Sequence, residues 1–102
     1  MLVQLVSKRR TKLDIYFDIL HSIKNGDYRV TQIMREVNVA YKPLKGMMVA
    51  LISHGIIEEV DAGHLNDGRT SVYYRLTGKG DNVYGYLRNT KNHVNEIISI
   101  LS

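Results

Sequence analysis

The sequence predicts an α+β fold in which three helices precede a β-hairpin and one long helix ends the chain. Three observations carry this. Two short apolar-periodic runs, residues 31–37 and 41–54, are separated by a break of three residues, Asn38, Val39 and Ala40. Two extended runs, residues 56–62 and 70–76, flank Asn66, Asp67 and Gly68, a strong turn signal. From Gly78 onward no breaker interrupts a helical pattern.

In chain order, residues 1–9 form an arm whose first seven residues, MLVQLVS, are mostly apolar; their pattern leaves open a helix start, a strand or packing on a partner. Residues 10–24 predict the first helix. Leu13, Tyr16, Phe17 and Leu20 lie on one stripe, and Ile15, Ile19 and Ile23 widen it, so this helix is covered on more than one side. Asn25 and Gly26 end it. Tyr28 and Val30 then suit a short extended link. In the second helix Ile33, Met34 and Val37 share a face, and the Thr31 hydroxyl is placed to cap the opening amides. In the third, Leu44, Met47, Met48 and Leu51 recur at the spacing of a buried stripe. Pro43 sits early, where a missing amide does no harm, and Gly55 stops the helix.

In the second strand of the hairpin Val72, Tyr74 and Leu76 alternate with Tyr73 and Arg75, so one face can seal a core while the other stays wet. Thr77 suits a helix cap. A helix of roughly 24 residues from Gly78 would span on the order of 36 Å, longer than so small a core can cover. Leu87, Val94 and Leu101 repeat every seven residues, with Tyr84, Lys91 and Ile98 three ahead of each, a short imperfect heptad seam. With Ile97 and Ile100 they make an apolar end that water would otherwise wet, the mark of a dimer interface over Tyr84, Leu87, Val94, Ile97, Ile98 and Leu101. The whole reads as a winged helix-turn-helix: a three-helix core plus β-hairpin wing over residues 10–77, with a long C-terminal dimerisation helix over 78–102.

A chain of 102 residues is one domain, with room for one core and none for a separate catalytic domain. It has no cysteine, which excludes disulfides and thiolate metal sites. No run approaches the roughly 20 apolar residues that span a bilayer, and the charges follow the apolar opening instead of preceding it. A protein of the cytoplasm, associated with the nucleoid and not with a membrane, is expected. The net charge of +4 is unevenly spread: residues 1–55 hold nine Lys and Arg against four Asp and Glu, residues 56–102 five against six. The positive charge therefore travels with the helix pair.

Away from its buried stripe the third helix carries Tyr41, Lys42, Lys45, Gly46 and Val49. Lysines neutralise phosphates, a tyrosine hydroxyl donates to one, and Gly46 with Val49 lets a helix backbone approach base edges. An ordinary solvated helix face has the same composition. Around it, Arg29 precedes the second helix and Arg35 lies within it, and Lys8, Arg9, Arg10 and Lys12 form the densest basic run, at the entry to the first. Arg69 and His64 lie at the wing tip, while Glu58, Glu59 and Asp61 near its stem would hold a phosphate off. The histidines 21, 54, 64 and 93 have no metal-ligand spacing, Gly78 and Gly80 belong to no phosphate loop, and no serine has evident His and acid partners. No enzymatic activity, metal or cofactor is expected.

The series Ile19–Leu20, Thr31, Ile33–Met34, Asn38–Val39–Ala40–Tyr41, Leu44, Leu51, Gly55–Ile56–Ile57 and Tyr74-x-Leu76–Thr77-x-Lys79–Gly80 resembles the small archaeal winged-helix DNA-binding proteins over about residues 10–82. Their pattern runs IM, N-L-S-Y, G-L-I, then Y-x-L-T-x-K-G. The last motif recurs in PadR-like and MarR-like regulators. The resemblance implies a homodimer on double-stranded DNA, either a transcriptional regulator or a chromatin-associated protein, in some relatives through an antiparallel coiled coil. Two departures stand out: Ala40 replaces the serine before the tyrosine, and GHLNDGRTS lengthens the wing. The expected function is sequence-specific DNA binding and transcriptional regulation. The alternatives are non-specific chromatin-type binding and a protein–protein interaction module. A small-molecule effector stays open, with Tyr84 and Tyr86 as candidates to line its pocket.

Overall fold

The computed structural model describes residues 10–26, 29–64 and 70–101. The arm up to Arg9, Tyr28 and the wing tip with Arg69 lie outside them. Helix α1 (Lys12–Asn25) begins on a reciprocal cap. Asp14 N–H donates to Thr11 Oγ1 at 3.1 Å, and Thr11 N–H donates back to Asp14 Oδ2 at 2.9 Å. The predicted start at residue 10 moves to Lys12 because Thr11 spends its side chain on this cap. The Thr11 amide, chiefly, holds the Asp14 carboxyl below its ordinary 3.8, and Lys91 adds a weaker attraction. Thr11→Ala should therefore lower stability by about 1 kcal/mol in urea unfolding. The part carried by the Asp14 charge is present above pH 3.8 and fades as pH falls through the depressed folded value.

Helix α2 (Val30–Val37) corrects two expectations. Val30 is not in an extended link, and Thr31 is not the cap. Val30 packs half-buried against the core, which draws the first turn back to Arg29, whose carbonyl accepts from Gln32 and Ile33 N–H at 3.0 Å each. No side chain caps this end. Asn38 closes the helix at φ +59°, a left-handed conformation that asparagine tolerates, and its N–H donates to Met34 O at 2.8 Å. Three residues later helix α3 (Tyr41–Ser53) begins, with Leu44, Met47, Met48 and Leu51 buried as the spacing predicts. Gly55 takes φ +71°, where a β-carbon would be strained, and turns the chain into the sheet.

Strands β1 (Ile57–His64) and β2 (Thr70–Leu76) pair antiparallel from Ile57 opposite Leu76, with an irregularity between Asp61 and Gly63. Ile57 is buried, and Tyr74 and Leu76 pack on the core. Helix α4 (Gly78–Leu101) completes the order α1 α2 α3 β1 β2 α4. The largest wholly buried side chains are Ile19 and Leu20 of α1, Ile33 of α2, Leu44 of α3 and Ile57 of β1. Every element except β2 and α4 thus sends an aliphatic chain to the centre, and α1 sends two, as a central support must. Leu13 departs from its predicted stripe: it is 59% exposed.

Candidate nucleic-acid interface

Burying one stripe of α3 in the core leaves the opposite one in water. Tyr41, Lys42, Lys45, Gly46 and Val49 are all exposed there, Tyr41 by 49% and Val49 by 56%. The helix contains no acidic residue. Lys45 Nζ stands 5.9 Å from the centre of the Tyr41 ring, a loose cation–π contact that holds two of the five together. A β-carbon added at Gly46 would meet nothing within 4 Å, so that position is a notch in the exposed surface. At the helix start Ala40 is extended and exposed, and no side chain caps the first amides at the positive end of the helix dipole.

The other cations separate into two groups. Arg10 donates to Val37 O and to Asp18, both at 2.7 Å, and so staples the start of α1 to the end of α2. Lys24 pairs with Asp81 at 2.7 Å, Arg75 with Glu58, and Lys91 with Asp14 at 3.7 Å. These charges are spent inside the fold. Lys42 and Lys45 make no such ion pair among the described residues, and Lys12 and Arg35 are exposed. Arg35 lines a shallow depression with Thr31, Met34, Asn38 and Ala40, which brings it to the approach of α3. Arg29 lies at the other end of α2, away from that approach. Lys8, Arg9 and Arg69 are outside the described residues. In the wing stem, burial pushes the Tyr74 phenol up and Glu59 adds to the shift, while Glu58 raises Arg75 through their hydrogen bond.

The exit of α3 is held by the start of α4. Three successive carbonyls are taken up: Lys79 Nζ donates to His54 O at 2.9 Å, the Thr77 hydroxyl lies 2.6 Å from Gly55 O, and Thr77 N–H donates to Ile56 O at 3.1 Å. The same hydroxyl accepts from Gly80 N–H at 3.0 Å, the predicted cap. Gly80 is buried against Ile56, and a β-carbon there would lie 1.9 Å from Ile56 O. Sequence reading found Thr77 as a cap but missed the clamp. The only signal was that Thr77, Lys79 and Gly80 fall within one motif.

The heptad residues of α4 divide at Leu87. Tyr84 is buried in the chain's own core, a correction to its place in a dimer interface: its hydroxyl lies 2.7 Å from His21 Nδ1, and its ring stacks on Phe17 at 5.4 Å. A ring this size is turned inward because α1 offers it both an aromatic face and a polar partner. Leu87 packs partly on the core, whereas Val94, Ile97, Ile100 and Leu101 are exposed and Ile98 is half-buried. Tyr86 is 72% exposed while Tyr84 is buried, so the two do not line a common pocket. No group of three or more His, Asp or Glu able to hold a metal occurs among the described residues, and no helix there is long and apolar enough to cross a membrane.

The fold recurs in known proteins. A PadR-like transcriptional regulator from Bacillus cereus superimposes with a TM-score of 0.78 at 17% identity, over 88% of this chain and 92% of that one. The DNA-binding protein Sso10a-2 from Sulfolobus solfataricus gives 0.59 at 21% identity, over 90% and 96%. Streptococcus pneumoniae FabT, solved in complex with DNA, gives 0.60 at 23% identity, over 96% and 71%. No curated protein sequence matches. A family profile does, and it takes in the helix pair, the hairpin and the packed half of α4: over residues 9–95, this chain belongs to the winged helix-turn-helix family.

Proposed function

We propose that this protein binds double-stranded DNA sequence-specifically as a homodimer and regulates transcription. One observation carries the reading. The outward face of α3 is free of acids and presents two lysines without carboxylate partners among the described residues, whereas Arg10, Lys24, Arg75 and Lys91 are paired with carboxylates within the fold. In this mechanism α3 enters the major groove of each half-site. Lys42 and Lys45 meet phosphates or guanine edges, Tyr41 meets the backbone, and the notch at Gly46 beside Val49 lets the helix come close to the bases. Arg35, at the approach to α3, and Lys12 meet flanking phosphates. Arg29 serves the flank at the far end of α2, and Arg69 at the wing tip reaches the neighbouring minor groove. Arg10 supports the reading head from within. The reading needs no cofactor and no catalysis, and it places the protein in the cytoplasm on the nucleoid.

Binding to a pool of random duplexes at two salt concentrations, followed by sequencing of the retained fraction, tests it. An enriched motif, palindromic for a dimer, is the expected result. Salt-sensitive retention without a motif would replace it with a chromatin-type role, and no retention at low salt would replace it with a protein-binding module.

The partner in the dimer is a second copy, through the exposed tail of α4 after Leu87, where Val94, Ile97 and Leu101 stay on one apolar side. Residues 78–102 then act as the assembling segment and residues 10–77 as the reading segment. Half-sites are expected about 34 Å apart or at a multiple of it. A chain ending after Leu87 should sediment as a monomer; a dimer that persists would remove the tail from the interface.

A further inference from the structure

An apolar groove runs along the side of the molecule where α1, α3 and α4 meet. Leu13, Tyr16 and Leu20 line it from α1, Ala50 from α3, and Val83 and Leu87 from α4. Its lining is almost wholly hydrocarbon, and Leu13 at its edge is 59% exposed although the helical spacing of α1 puts it on the buried stripe. Among the described residues nothing covers it. A leucine on the buried side of a helix, left open beside other apolar side chains, marks a surface with a missing partner.

We infer that the groove is filled by the amino-terminal arm of the same chain, with Leu2, Val3, Leu5 and Val6 lying on it. Three facts select this occupant. Five of the first six residues are apolar, Gln4 being the exception, so the segment matches the groove in chemistry. It is joined to α1 at the right place: the described chain opens at Arg10, three residues before Leu13. And its reach suffices, because six extended residues cover about 20 Å, whereas Leu13 and Leu20 are separated by about 10 Å along α1. Lys8 and Arg9 fall between the apolar segment and the cap at Thr11, where the chain must reverse and where their charges can stay in water. A tethered segment also competes at an effective concentration in the millimolar range, which a second copy at ordinary protein concentration does not match. The arm then backs α3 from behind, on the side opposite Lys42 and Lys45. The inference does not depend on what α3 binds.

The chain contains no cysteine, so introduced pairs report without interference. Ala50→Cys is combined in turn with Leu2→Cys, Val3→Cys, Leu5→Cys and Val6→Cys in the full chain, oxidised mildly and resolved without reductant. At least one pair should close within a single chain in more than half of the molecules. The same arm cysteines paired with Val49→Cys, on the outward face of α3, should close several-fold less. Cross-links between chains only would assign the groove to a second copy and overturn the inference. So would equal closure at positions 49 and 50, or none at either. Should the paired variants fail to fold, Leu2→Ser with Leu5→Ser is compared with the unaltered chain in an apolar-dye assay. Dye fluorescence should rise at least twofold as the groove opens, and equal fluorescence in both proteins would overturn the inference.

Discussion

Alanine at both Lys42 and Lys45 is expected to weaken duplex binding by about tenfold or more near 0.1 M salt, with the thermal midpoint unchanged. Each lysine that neutralises a phosphate releases counterions. Losing two should flatten the plot of log affinity against log salt by about two in slope, so the loss is largest at low salt and shrinks as salt rises. Stability should hold because both side chains are exposed and unpaired with acids among the described residues, and exposed substitutions of this kind usually stay within about 0.5 kcal/mol. Fluorescence anisotropy of a labelled duplex across a salt series, with a melting curve for each variant, reads both quantities. Unchanged affinity and slope would move the reading face off α3. The Arg10→Ala variant is the instructive contrast: Arg10 bonds Val37 O and Asp18, so its loss should show first in the melting curve.

The largest effect on stability is expected at Gly80. A β-carbon there would sit 1.9 Å from Ile56 O, and the obstruction is backbone, which no rotamer change relieves. Either α4 moves away from the α3–β1 turn or the turn moves, and each breaks bonds made by Thr77 and Lys79. Overpacking in a well-filled site costs about 1–3 kcal/mol, and a backbone obstruction belongs at or above the top of that range. Gly80→Ala should therefore lower the thermal midpoint by 10 °C or more, at about 4–8 °C per kcal/mol for a domain near this size. Lys79→Met, which removes one exposed bond to His54 O, should cost a small fraction of that. A Gly80→Ala protein that melts with the unaltered chain would mean that the approach of α4 to Ile56 is looser than described.

Much of the fold was legible because it rests on local periodicity. The stripe Leu44, Met47, Met48 and Leu51 set both faces of α3, buried and outward, since a helix that hides one side must show the other. Gly55 and Thr77 were legible as a stop and a cap because each role has a narrow chemical requirement. The start of α2 was not: a Thr31 hydroxyl and a Val30 side chain favour different first turns, and the core outweighed the cap.

What the sequence alone determined about this protein is its element order, the faces of its helices and the outward surface of α3. Each of these depends on residues within a few turns of one another. Only the tertiary structure decided which long-range partner each versatile side chain takes. It gave Arg10 to Val37 O instead of solvent, turned Tyr84 toward His21 instead of a second copy, joined Thr77 and Lys79 to the carbonyls leaving α3, and set Leu13 at the edge of a groove that no other described residue covers. The physical reason is that spacing fixes the direction in which a side chain leaves its own helix, whereas its partner depends on what the rest of the chain places there.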